Sequence, residues 1–140
     1  MIASQVFSIA SLLVFPMWLL MIFLPKWKGT QWLIDYKIVP ILLSLIYLFY
    51  TSLSIAGDGG LDFGSLESVM QLFTVEEAML AGWVHYLAFD LIVGMWILDQ
   101  NKTLGLHSIL MAPCLFFTFL LGPVGFLLFT LIKTLKKYQS

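Results

Sequence analysis

The sequence predicts an all-α integral membrane protein, a four-helix transmembrane bundle forming one domain over residues 1–140. Three observations predict it. Hydrophobic residues make up 61% of the chain and charged ones only 11%, the mean hydropathy is +0.98, and the charges fall between long uncharged runs. A soluble core of this size cannot absorb that much apolar surface. The formal net charge of -1 supplies no basic field for nucleic acid. The single cysteine, Cys114, excludes an internal disulfide.

The first span is expected at about residues 4–24, because no charged side chain occurs from Met1 to Pro25. A helix needs about 20 such residues to cross a hydrocarbon core about 30 Å thick. The basic n-region and small-residue cleavage pattern of a signal peptide are missing, so the run reads as a retained helix, bent where Pro16 frees the Leu12 carbonyl. A loop with Lys26, Lys28, Asp35 and Lys37 leads to the second span, 38–56. Gly57-Asp58-Gly59-Gly60 then breaks the helix.

Residues 62–73 carry the chain's amphipathic signature, with Leu66, Val69, Met70 and Phe73 at i, i+3, i+4 and i+7. Ser65 is placed to cap a short interfacial helix there, acting as a lid or as a plain connector. The third span is expected at 76–98 and the fourth at 107–132, joined by Asp99-Gln100-Asn101-Lys102. Pro113 and Pro123 should leave the carbonyls of Ile109 and Phe119 without intrahelical donors. Four crossings put both termini on one side. Lys26, Lys28, Lys37 and Lys102 then oppose Lys133, Lys136 and Lys137, which leaves the orientation open.

The third span holds the chemical anomaly, His85 and Asp90. An aspartate at a helix centre costs roughly 2.5 to 3.5 kcal/mol on the insertion scale, so Asp90 should be protonated, paired or facing a polar cavity. Five residues place His85 and Asp90 about 140° apart on the helix, too far for a direct bond. Both are candidate catalytic groups, and both could instead serve only interhelical hydrogen bonding. Small residues surround them: Ala78, Ala81, Gly82 and Gly94 on this helix, with Cys114, Thr118, Gly122 and Gly125 forming a narrow face on the next. A ligand cavity is expected between those two surfaces. Its candidate lining is Trp83, Phe89, Cys114, Thr118 and Gly122, with Trp83 and Trp96 placed to stack on an extended apolar molecule. His107 reads as a solvated interfacial group. No metal or haem motif is present, since the histidines lie at different depths and no His-x-x-x-His or Glu-x-x-His pair exists; no cofactor is expected.

The run Gly82-Trp83-Val84-His85-Tyr86-Leu87-Ala88-Phe89-Asp90-Leu91, with His107, Pro113-Cys114-Leu115 and Gly122-Pro123-Val124-Gly125, resembles the abscisic-acid-deficient-four family. That family includes the plant plastid membrane protein needed for making neoxanthin and many bacterial relatives. The resemblance implies a carotenoid or related isoprenoid ligand and an integral location in the bacterial inner membrane or a photosynthetic membrane, among membrane lipid and a possible protein partner. Asp90 would act as an acid in opening an epoxide or isomerising a polyene, His85 would orient it or accept a proton, and Trp83 and Phe89 would stack on the ligand. The alternative is a noncatalytic pigment-, quinone- or lipid-binding assembly factor. One departure stands out: Met95 occupies the position where the family pattern has an arginine, and this chain has no arginine.

Overall fold

The computed structural model describes residues 2–57 and 60–140; Asp58 and Gly59 of the predicted glycine break lie outside the described residues. Seven helices form among them: α1 (Ala3–Phe23), α2 (Lys28–Asp35), α3 (Ile38–Ala56), α4 (Leu66–Leu72), α5 (Glu76–Leu104), α6 (Ser108–Leu120) and α7 (Gly122–Gln139). Three stretches are long and apolar enough to cross a membrane: α1, the Lys28–Ala56 run that holds α2 and α3, and α5.

The expected four-helix bundle is corrected in two places. The loop after α1 contains α2, a short amphipathic helix that buries Thr30 and Ile34 and leaves Trp27 and Trp32 exposed at the level of the helix ends. Lys37 follows in left-handed geometry, φ 52°, and its Nζ donates to the Ile34 carbonyl at 2.6 Å. The larger correction concerns the expected fourth helix over 107–132. It is two helices, broken at Leu121, and the second folds back along the first.

The direction of each helix follows from its contacts. Phe7 stacks on Trp83 at 5.3 Å and the Trp18 ring covers Gly94, so α1 and α5 run parallel. Tyr47 meets His85 at 5.6 Å and Asp35 approaches Lys102 at 4.0 Å, so α3 runs antiparallel to α5, with which it shares the largest interface. Gly105, φ 64°, ends α5. Asn101 clamps the turn that follows, accepting from Leu106 N at 2.8 Å and donating to Leu106 O at 3.1 Å. α6 therefore runs back along α5 until Phe119 packs on Trp18 at 5.5 Å. Then α7 reverses: Gly122 abuts Asp90, Trp96 packs on Phe126 and Phe129 at 5.6 and 5.7 Å, Lys133 Nζ donates to Gln100 Oε1 at 2.5 Å, and Lys136 Nζ reaches the Leu104 carbonyl.

The physical reason for this hairpin lies in Leu121-Gly122-Pro123. Pro123 sits at the start of α7, where its missing N–H costs nothing and its fixed φ favours a new helix, rather than inside one helix where it would free the Phe119 carbonyl. Gly125 lets the two arms touch, since a Cβ there would overlap Thr118 and the Cys114 carbonyl. With 13 residues, α6 rises only about 20 Å, short of a hydrocarbon core of about 30 Å.

The hairpin also overturns the expected placement of the termini. The C-terminus lies at the α1–α2 end of the molecule, opposite the N-terminus. All seven lysines, Lys26, Lys28, Lys37, Lys102, Lys133, Lys136 and Lys137, therefore gather at one end. The other end carries Asp62, Glu67, Glu76 and Glu77. There Ser65 caps α4, accepting from Ser68 N at 3.1 Å, and the Gly64 N–H and Ser68 hydroxyl hold the Asp62 carboxyl below its ordinary range. No residue of α4 is buried. The core sits between the long helices, with Val14, Trp18, Leu43, Leu91, Met95 and Leu115 among its sealed side chains.

Candidate functional site

Asp90 stands at the midpoint of α5, 8% exposed, facing the tip of the α6–α7 hairpin. Its Oδ1 lies where a Cβ on Gly122 would fall, so only glycine permits the approach. Helix α7 begins at that glycine, and the partial positive charge of a helix start thus faces the carboxyl. Asp90 Oδ2 is buried without a hydrogen-bond partner among the described residues. Tyr86, one turn earlier on the same face, stands beside the carboxyl; its hydroxyl donates to the Leu120 carbonyl at 2.8 Å, one of the carbonyls that the end of α6 leaves without an intrahelical donor.

Tyr86 also lines a groove between α1, α5 and the end of α6. That groove is apolar and aromatic, about 460 Å³, with Leu12, Phe15, Trp83, Tyr86, Phe119 and Leu120 in its walls. A second hollow, about 320 Å³, continues along the same two helices beyond the Phe7–Trp83 stack, to Ser4, Thr74 and Glu76. From Glu76 to Leu87 the pair extends about 17 Å along α5. The Trp83 indole N–H is buried beside it without a partner among the described residues.

The structure separates the sequence candidates into three groups. Trp83 lines the groove, and Asp90 lies behind the Tyr86 end of it. Cys114 and Thr118 are fully buried, and with Gly125 they form the seam inside the hairpin, where the Thr118 hydroxyl donates to the Cys114 carbonyl at 2.6 Å; Gly122 makes the tip. The small face that was expected to line a cavity is thus occupied by α7. His85 and Phe89 stack on each other at 4.7 Å on the α3 side of α5, away from Asp90. His107 is exposed, and its Nδ1 accepts from Ile109 N at 3.2 Å at the start of α6. Met95 is buried in the core, 1% exposed, and brings no charge to Asp90. Tyr86 was missed as a site residue; its signal was the i, i+4 spacing to Asp90, which puts both on one helix face.

A carboxyl at mid-helix against the tip of a helical hairpin, beside an aromatic groove along apolar helices, defines an all-helical membrane protein with a buried carboxyl near its centre. The chain matches the ABA DEFICIENT 4-like family model over residues 5–129, and it belongs to that family. No curated protein and no solved structure matches it.

Proposed function

We propose that the protein takes an elongated carotenoid or related isoprenoid from the bilayer into the α1–α5 groove and acts on the end nearest the hairpin tip. The observation that supports this most is the end wall of the groove, where the Tyr86 hydroxyl meets a mainly apolar lining that also includes Ser11 and Asp90 stands directly behind it. Family membership supports the ligand class. In this reading α1, α3 and α5 cross the membrane, the α6–α7 hairpin enters and leaves from one face, and Trp83 and Phe119 stack on the ligand. Tyr86 touches the reacting end, and Asp90 supplies and recovers the proton through it. Acid-assisted epoxide opening and polyene isomerisation both suit such a pair. A proton goes to the epoxide oxygen or a polyene carbon, the C–O bond breaks or the double bonds shift, and a proton lost from a neighbouring carbon returns. Neither reaction needs an oxidant or reductant.

Tyr86→Phe tests it, because the variant keeps the ring and removes the hydroxyl. In nanodiscs carrying an epoxycarotenoid, the variant should keep the induced circular dichroism of the bound polyene while conversion falls by about 100-fold or more. Conversion at the wild-type rate would remove Tyr86 and Asp90 from the chemistry. A specific observation favours the noncatalytic alternative: the Tyr86 proton is already given to Leu120 O, so the pair also pins the hairpin. If that is its whole role, the wild-type protein should hold pigment, quinone or lipid unchanged, and Tyr86→Phe should lower only the melting temperature.

We infer the orientation from the lysine distribution. Cationic loops stay on the cytoplasmic side, which places the α1–α2, α5–α6 and C-terminal ends inside and α4 outside. A fluorescent protein fused after Ser140 should fold and fluoresce, and alkaline phosphatase fused there should be inactive. The reverse pattern would contradict the orientation.

A further inference from the structure

A further cavity, about 230 Å³, lies on the α3 side of α5 under the α4 segment. We propose that it binds the carbonyl-bearing ring of a quinone-type lipid, independently of the groove. Two stripes build it. On α3, Tyr47, Thr51 and Ser54 follow at i, i+4 and i+7; on α5, Ala78, Ala81, Gly82 and His85 follow at i, i+3, i+4 and i+7. The small side chains of the second stripe leave the space that the first stripe faces. Phe63 and Phe73 roof it, and Phe73 lies so close on Gly82 that a Cβ there would push it away.

The hydroxyls reveal what the cavity expects. Ser44 and Ser52, also on α3, return their protons to the carbonyls of Pro40 and Leu48 at 2.8 and 2.7 Å, the ordinary choice for a serine in a membrane helix. Thr51 and Ser54 do not. The Thr51 hydroxyl is buried without a partner among the described residues, and Ser54, 7% exposed, makes no hydrogen bond among them. The Thr51 and Ser54 hydroxyl protons thus reach the cavity without a partner among the described residues; the His85 imidazole, which also lines it, can take one of them at most, and carbonyl oxygens on the ligand take the rest. The rings of Tyr47, Phe63, Phe73 and His85 suit a flat ring. No aspartate, glutamate, lysine or arginine lines the cavity. The volume lies below the range for whole drug-sized ligands, so it takes a ring, and an attached chain must leave toward the lipid.

The test is photolabelling with an azido-ubiquinone in phosphatidylcholine nanodiscs, read by peptide mapping. Label is expected within residues 47–54 and 78–85, displaced by excess decylubiquinone and not by decylbenzene. Thr51→Val with Ser54→Ala, which keeps the shape and removes the hydroxyls, should weaken displacement about tenfold. Ala81→Leu, which fills the cavity from the other wall, should abolish the label in protein that elutes and melts like the wild type. Label elsewhere, label that decylubiquinone does not displace, or label unchanged in both variants would overturn the site. Decylubiquinol competing better than the quinone would overturn the carbonyl assignment. None of these results depends on whether Asp90 and Tyr86 turn over a carotenoid.

Discussion

Replacing Gly125 with leucine is expected to abolish the folded α6–α7 hairpin. A Cβ at this position meets Thr118 Oγ1, Thr118 N and the Cys114 carbonyl. Two of those three are backbone atoms of a helix and cannot rotate away, unlike the Trp18 ring that covers Gly94. Gly125→Ala should therefore cost about 3 kcal/mol, the upper end of overpacking penalties, and leucine more. Thermal melts followed by size exclusion in mild detergent check this, with Val124→Leu as a neighbour that is 45% exposed and should change stability by less than about 0.5 kcal/mol. If residues 107–132 formed one straight crossing helix, Gly125 would lie far from Cys114 and the two substitutions would behave alike.

The second large effect is expected from Asp90→Asn, with conversion of an epoxycarotenoid falling by about 10²- to 10⁴-fold, the usual worth of a positioned acid or base. Asparagine keeps the size and places an uncharged amide against Gly122, so the hairpin tip should form and ligand should still bind. Asparagine holds no proton that it can release and recover at this position. The comparison with Asp90→Leu separates the roles: leucine removes every polar contact at the tip and should lower the melting temperature, whereas asparagine should lower turnover alone. A fall in turnover that only follows the amount of folded protein, in both variants, would make Asp90 a structural group.

Much of the fold was legible because hydropathy and charge bound the long runs. The apolar stretches of α1, α3 and α5 are closed by Lys26, Gly57 and Asp99, and Ser65 announces the start of α4. The hairpin was not legible from hydropathy, since an apolar run of a given length looks the same whether it crosses once or enters and returns. Its signals were chemical. Gly122-Pro123 is a helix start more than a kink, and one crossing would have split the lysines between two faces. Helix α2 was hidden by its eight residues, too few for a clear period among Lys28 and Asp35.

The candidate site was legible in part, and for a reason of the same kind. Asp90 declared itself as a charge in a span, and Tyr86 shared its face. What completes that point, the Leu120 carbonyl and the Gly122 approach, comes from more than thirty residues away, and depends on a chain reversal that periodicity does not encode. Cys114, Thr118, Gly122 and Gly125 were expected on one face of a single helix, whereas Cys114 and Thr118 lie on α6 and the two glycines on α7. Smallness alone did not distinguish room for a ligand from room for another helix, and α7 fills it.

The most direct measurement is photolabelling with a carotenoid analogue carrying a diazirine on one ring end, with cross-links mapped by peptide mass spectrometry in nanodiscs. Groove binding with one end at the hairpin tip predicts label on Tyr86, Phe119 or Leu120. It also predicts loss of that label in Leu12→Trp, which blocks the groove mouth from a position 71% exposed. Label confined to the outer face of α3, around Leu45, Leu48 and Phe49, or label at Tyr86 that Leu12→Trp leaves unchanged, would contradict it.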